Sequence, residues 1–262
     1  SQPVLPWTIP VSARTDQALR NMLAALADWI EANPDADPRD VVATLVRRRD
    51  QLPRRAVVCA DSRIGLVQAM RAHAAEGSSP DVIAGQAAAG TRRVAFVYSG
   101  QGPQWHAMGR ALYAAGGVFQ RELDACASFL DPLTGWSLVA ALHVDEAESR
   151  MRRTDHAQPA LFALQYALGR HLKAMGMVPD VVVGHSLGEI AAAEAAGLVT
   201  LEEACRLVAA RGELMQEITG QGAMASVELS AAELGGVIET YGDRLSIAAS
   251  NGPSTSVLSG DQ

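Results

Sequence analysis

The chain has 262 residues and a mass of 27.6 kDa, enough for one large domain or two modest ones. Hydrophobic residues make up 48% and charged residues 19%, so a packed core is expected and wholesale disorder is excluded. The net charge of -7 excludes a sequence-independent nucleic-acid binder, which needs surplus Lys and Arg to displace phosphate counterions; a small anionic substrate held by one well-placed Arg remains compatible.

Cys59, Cys126 and Cys205 are far apart and show no CxxC spacing. Neither a disulfide framework nor a thiolate zinc site fits them, and a reducing cytoplasm does. Residues 1–7 have no basic segment and no long apolar run, so they do not read as a signal peptide. No run of about 18 apolar residues exists, so no membrane span is expected.

In chain order, Trp7 to Val11 is short and β-prone. A helix follows from near Thr15, with Leu19, Met22, Leu23, Leu26, Trp29 and Ile30 on one face. Asn33-Pro34 stops it, and Asp37-Pro38 starts the next as cap and first helical residue. Ala56 to Ala60 is a buried strand. Asp61 to Ala75 is a helix with Ile64, Val67 and Met70 inward, and Val82 to Ala84 closes this region as a strand. Residues 85–93 are mostly small and end in two arginines, which marks a linker and a boundary.

Beyond it, Val94 to Tyr98 is a strand, Gly100 to Gln104 a tight loop, and a helix starts near Met108. Another helix is expected over Pro159 to Met175. Val181 to Val183 is a second strong strand, followed by Gly184-His185-Ser186-Leu187-Gly188 and an alanine-rich helix closed by Gly197. Thr200 and Glu203 form a capping box for a helix running to about Ile218. From Gly222 the pattern becomes strand (224–229), helix (230–241) and two strands (245–249, 256–259), the opening of a separate subdomain. Alternating strands and helices predict an α/β fold with a mostly parallel sheet covered on both faces. In such sheets the chemistry sits at the carboxyl ends of the strands, where both glycine-rich loops begin.

Gly184 to Gly188 fits the G-x-S-x-G nucleophile elbow. A strand enters, a strained turn lifts the Ser186 hydroxyl, and a helix leaves with its N–H groups aimed at a developing oxyanion. The bland alternative is a glycine-rich turn with an inert serine. Gly100-Gln101-Gly102-Pro103-Gln104 is a poor dinucleotide fingerprint, because Trp105 stands where a third glycine belongs. It is either a plain strand-to-helix connection or a loop that presents a second oxyanion donor. Arg211 is able to grip a carboxylate with two parallel hydrogen bonds, or simply to pair with Glu213 or Glu217. Among the six histidines, His185 adjoins Ser186 but faces away at a sharp elbow, and His106 and His156 stay open as bases. No clustered metal-ligand spacing is present. Arg47–Arg49 and Arg54–Arg55 read as a solvated face, or as a docking surface for an acidic partner.

Together, the Gly100–Gln104 loop, the Gly184–Glu189 elbow and Arg211 resemble the acyltransferase domain of modular type I polyketide synthases. The same motifs occur in malonyl-CoA:acyl carrier protein transacylases. The resemblance implies an α/β-hydrolase-like core over 91–221 and the first part of a ferredoxin-like small subdomain over 222–262. Residues 1–90 resemble the α/β linker domain between ketosynthase and acyltransferase. By resemblance, Ser186 is the nucleophile, the N–H groups of Gln101 and Leu187 form the oxyanion hole, and Arg211 binds the free carboxylate of a malonyl-type unit. Gln158, His185 and Asn251 line the pocket, and Gly184 and Gly188 shape the elbow.

The implied partners are a malonyl-type acyl-CoA, an acyl carrier protein with its phosphopantetheine, and a ketosynthase in the same polypeptide. No resident cofactor, metal, nucleic acid or membrane is implied. In the family the residue after the nucleophile often tracks the extender unit, and Leu187 leans toward malonyl over methylmalonyl. The family's catalytic His lies well past the small subdomain, whereas no histidine follows Ser186 here. The chain therefore reads as ending midway through that subdomain, without its base. The rivals are a serine esterase or thioesterase, which needs neither Arg211 nor the Gly100 loop, and a catalytically silent piece of the synthase.

Overall fold

The structure, a computed structural model, describes residues 6–88, 90 and 92–261. Most of residues 1–7, which do not read as a signal peptide, and part of the 85–93 linker lie outside the described residues. The chain divides into two compact units, Ser1–Val94 and Ala95–Gln262, each taken by itself below.

The first unit runs β1 (Trp7–Ala13), α1 (Asp16–Ala32), α2 (Pro38–Arg47), β2 (Arg54–Ala60), α3 (Arg63–Glu76) and β3 (Val82–Gln86). Its three strands form an antiparallel sheet in the order β1-β2-β3. The helix starts follow the sequence. The Thr15 hydroxyl accepts from Ala18 N–H, the Asp37 carboxylate from Arg39 N–H beside Pro38, and the Ser62 hydroxyl from Gly65 N–H. Arg63 ties the end of α1 to the loop after it, donating to Ile30 O and Asn33 O, both at 3.1 Å, and to Ala36 O. Ile9, Val11, Leu19, Leu23, Ile30, Val58, Leu66 and Met70 make the core.

Two sequence expectations fail in this unit. The buried stripe of α1 is Leu19, Leu23, Ala27 and Ile30; Met22 and Trp29 are half exposed and, with Leu26, line a groove of about 760 Å³ against Val41 and Leu45 of α2. Ile64 is 70% exposed, because it sits on the first turn of α3, outside the inward row of Leu66, Val67, Met70 and His73.

The second unit runs β4 (Ala95–Tyr98), α4 (Arg110–Ala114), α5 (Gly117–Thr134), α6 (Leu138–Ala141), α7 (Thr154–Ala174), β5 (Val181–Gly184), α8 (Gly188–Ala195), α9 (Leu201–Glu217), β6 (Ala223–Val227), α10 (Ala231–Tyr241), β7 (Leu245–Gly252) and β8 (Thr255–Gly260). β4 and β5 are parallel, with Ala95 opposite Val181 and Tyr98 opposite Gly184. Both strands thus deliver their glycine-rich loops to the same end.

The expected larger parallel sheet, covered on both faces, is reduced to this pair among the described residues. Phe96, Tyr98 and Val182 pack on the core, while Val97, Val181 and Val183 are at least half exposed on the other face. The core itself lies among α5, α7, α8 and α9, around Phe119, Leu123, Leu130, Phe162 and Val208. Cys126 and Cys205 are buried there as free thiols, and burial pushes Cys126 far above the ordinary thiol range. The last three strands form a separate antiparallel sheet ordered β6-β8-β7, so that α10 joins two parallel strands with β8 between them.

α7 begins five residues before Pro159, which lies inside it. The first helix after the Gly100 loop is the short α4, starting at Arg110 rather than Met108. α5 was not expected. It opens at Gly116-Gly117 without a side-chain cap and carries an internal Pro132, which masks the helical spacing of Phe119, Leu123, Cys126 and Leu130. Among the described residues no helix is long and apolar enough to cross a membrane.

Candidate active site

Strand β5 ends in a turn that only certain residues tolerate. Ser186 holds a φ of +53°, in the left-handed region that costs an L-residue roughly 1–2 kcal/mol. A Cβ on Gly184 would lie 2.4 Å from Glu189 N and Cα, and one on Gly188 would lie 2.1 Å from Tyr98 O. Both positions are closed to any side chain. His185 N–H donates to Tyr98 O at 3.0 Å, and Glu189 N–H to Ser186 O at 3.0 Å, so the turn is tied to β4 on one side and α8 on the other. The Leu187 side chain is fully buried and anchors the start of α8. Ser186 itself is exposed.

Arg211 reaches this hydroxyl. Its Nη2 donates to Ser186 Oγ at 3.0 Å. Helix α9 carries it there from a fixed start: the Thr200 hydroxyl accepts from Glu203 N–H while the Glu203 carboxylate accepts from Thr200 N–H at 2.8 Å. Donation from the Thr200 N–H, and from its hydroxyl at 2.8 Å, holds the Glu203 carboxyl below its ordinary range. The alternative pairing of Arg211 with Glu213 or Glu217 is not formed.

The second glycine loop lies against the elbow. A Cβ on Gly100 would be 2.8 Å from His185 Nδ1 and 3.4 Å from Ser186 Cβ. The N–H groups of Gln101 and Leu187 take no protein acceptor among the described residues. Gln158 is fully buried on α7, and its Nε2 donates to Gln101 Oε1 at 3.0 Å. His185 Nε2 lies 3.3 Å from Asn251 Oδ1, which brings the small sheet to the elbow.

The sequence-predicted residues therefore gather as three contacting pairs: Ser186 with Arg211, Gln101 with Gln158, and His185 with Asn251. The candidate bases do not join them. His156 stacks on Trp136, with centroids 4.6 Å apart and planes 7° from parallel, and its Nδ1 lies 2.8 Å from Asp155 Oδ1. Hydrogen bonds from Arg153 and His156 hold the Asp155 carboxyl below the usual carboxylate range, against the opposing effect of burial. His106 Nδ1 is buried without a partner. Among the described residues no histidine is hydrogen-bonded to Ser186 Oγ. Nor does any cluster of three His, Cys, Asp or Glu among them suit a metal ion.

Sequence reasoning missed Thr154, Met215 and Gln216. Gln101 Nε2 donates to Thr154 Oγ1 at 3.4 Å, Thr154 N–H to Gln216 Oε1 at 2.7 Å, and Gln158 Nε2 lies 3.2 Å from Met215 Sδ. No local pattern announces contacts between positions 62 and 57 residues apart.

The family described as "Acyl transferase domain" matches residues 95–262, which span the elbow, the Gly100 loop and Arg211. The chain belongs to the acyl transferase domain family. A second family, "CurL-like, PKS C-terminal", matches residues 8–70. The chain is 40% identical over 261 residues to the spectinabilin polyketide synthase system protein NorB of Streptomyces orinoci, covering 98% of this chain and 12% of that protein. It superposes with a TM-score of 0.85 and 39% identity on the acyltransferase domain from module 8 of the salinomycin polyketide synthase, covering 98% of this chain and 60% of that one. The acyl transferase domain of SpnD in complex with 2-(pent-4-yn-1-yl)malonyl gives 0.83 and 35%, covering 98% and 59%. The chain thus spans about three fifths of the solved domains it resembles and a small part of the curated protein.

Proposed function

We propose that this chain is the nucleophile-bearing part of a polyketide synthase acyltransferase, which loads a malonyl-type unit from acyl-CoA onto Ser186 and passes it to the phosphopantetheine thiol of an acyl carrier protein. The observation that carries the reading is the exposed Ser186 hydroxyl at a strained elbow with the Arg211 guanidinium 3.0 Å away. The complex named for the SpnD domain supports a malonyl-type acid as the substrate class.

Ser186 Oγ attacks the thioester carbonyl, and its proton leaves to a general base. The N–H groups of Gln101 and Leu187 stabilise the tetrahedral oxyanion, each worth about 3–4 kcal/mol in the transition state. The C–S bond then breaks and CoA departs as the thiol, leaving the acyl ester on Ser186. In the second half-reaction the carrier thiol attacks that ester, Ser186 regains its proton, and the acyl group leaves as a new thioester. Arg211 turns from Ser186 to grip the free carboxylate, fixing the carbonyl for attack and disfavouring acids that leave it unpaired. Gln158 and Asn251 line the pocket, and His185, held by Asn251, walls it. Leu187 favours malonyl over methylmalonyl.

The resemblance calls for a histidine base, and none of the described histidines is hydrogen-bonded to Ser186 Oγ. The parallel β4–β5 pair, with the elbow leading from β5 into α8, supports an α/β-hydrolase-like core. The β6-β8-β7 order supports the opening half of a ferredoxin-like subdomain, and the CurL-like match over 8–70 supports a linker following a ketosynthase in the same cytoplasmic polypeptide. The reading calls for no resident cofactor.

The test is product partition by a domain of the extent its solved relatives have. With malonyl-CoA and a carrier protein, malonyl-carrier thioester is expected to form faster than free malonate. Predominant release of free acid would favour a hydrolase.

A further inference from the structure

We propose that Gln216 is a positioning residue that sets the oxyanion loop against the nucleophile by capping helix α7 from helix α9. This rests on the acyl-transfer reading of the site. The first N–H groups of a helix have no partner inside it. The capping residue of α7, Arg153, makes no side-chain cap. The gap is filled from α9: Thr154 N–H donates to Gln216 Oε1 at 2.7 Å.

The crossing is close enough for this because of Gly212. A Cβ there would come within 3.3 Å of Thr154 O and of Asp155 Cα. From the capped turn the bonds continue to the other loop. Thr154 Oγ1 accepts from Gln101 Nε2, and Gln101 Oε1 accepts from Gln158 Nε2, one turn further along α7. Gln101 is therefore held by its side chain at two points of α7, while its N–H stays free for the oxyanion. The helix that carries Arg211 to Ser186 also fixes, through Gln216, where Gln101 stands. Loss of the cap leaves Arg211 on its helix but lets the start of α7 and the Gln101 loop shift together. The cost falls on the transition state rather than on carboxylate binding.

The experiment uses the full-extent domain with Gln216→Met, which keeps volume without an acceptor, and Gln216→Glu, which keeps one. With malonyl-CoA, kcat of Gln216→Met is expected to fall about tenfold, the effect of one lost cap, with KM nearly unchanged. Gln216→Glu should recover most of it. Wild-type kcat in Gln216→Met, a loss confined to KM, or an equal loss in both variants would overturn the proposal. Amide hydrogen exchange separates this from failure of the acyl-transfer reading. Faster exchange over 154–158 and 100–104 in Gln216→Met alone supports the tie whatever the reaction; unchanged exchange in the 100–104 loop refutes it.

Discussion

The two glycine-rich loops meet at one site, yet Gly102 of the first serves a different end from the glycines of the elbow. In the elbow, Gly184 and Gly188 are required by space: a methyl group would sit 2.4 Å or less from backbone atoms that cannot move. In the other loop, Gly100 is pressed against the elbow, where a Cβ would lie 2.8 Å from His185 Nδ1 and 3.1 Å from His185 O, whereas Gly102 has nothing within 4 Å and only its φ of +137° demands glycine. The elbow is thus locked by its own main chain and by β4. The other loop takes its position from side chains, chiefly Gln101 bonded to Thr154 and Gln158. A nucleophile needs a fixed, strained perch, and the elbow provides one locally. An oxyanion donor needs only to be held at the right distance, and a network built from distant segments suffices.

Substitutions can break this contrast, from the largest effect downward. Ser186→Ala should reduce acyl transfer by about 10⁴-fold or more in a steady-state assay of the full-extent domain, while the melting temperature stays near that of the parent. Gly188→Ala should destabilise by about 4 kcal/mol or more, read by denaturant unfolding, and yield little soluble protein. Arg211→Ala should lower kcat/KM for malonyl-CoA by about 100-fold and leave acetyl-CoA far less affected; equal loss on both would remove its role as the carboxylate anchor. Gly102→Ala should cost only about 1–3 kcal/mol, because it strains φ without a collision. A cost as large as that of Gly188→Ala would erase the distinction between the loops.

The smallest effect concerns acid. The Asp155 carboxyl is held below its ordinary range by Arg153 and His156. Its contribution to stability is therefore present above the usual carboxylate range and is lost as pH falls through the lowered value. Below about pH 4 the melting temperature of the parent should fall more steeply than that of Asp155→Asn, measured by calorimetry. Parallel curves would mean that these bonds add nothing to the start of α7.

The elbow was legible because its constraints are local: a β-branched run, two glycines around a serine, and a helix-forming stretch. Arg211 was legible as a candidate, but its approach to Ser186 is a fact of helix packing. α5 was missed although Phe119, Leu123 and Leu130 keep helical spacing, because Gly116, Gly117 and Pro132 read as breaks. Pro159 concealed the true start of α7 for the same reason. Ile64 and Trp29 show the limit of periodicity, which finds an apolar face without telling which of its residues a neighbouring element covers. The Gln216 cap was invisible, since a lone glutamine mid-helix carries no signal for a partner 62 residues away.

The most direct test is the covalent state of Ser186. The full-extent domain is incubated with malonyl-CoA without a carrier protein, then quenched and mapped by peptide mass spectrometry. One malonyl group on the peptide containing Ser186, absent in Ser186→Ala, is the predicted result. A folded protein that stays unmodified, or carries the group on another residue, would contradict the assignment of this hydroxyl as the nucleophile.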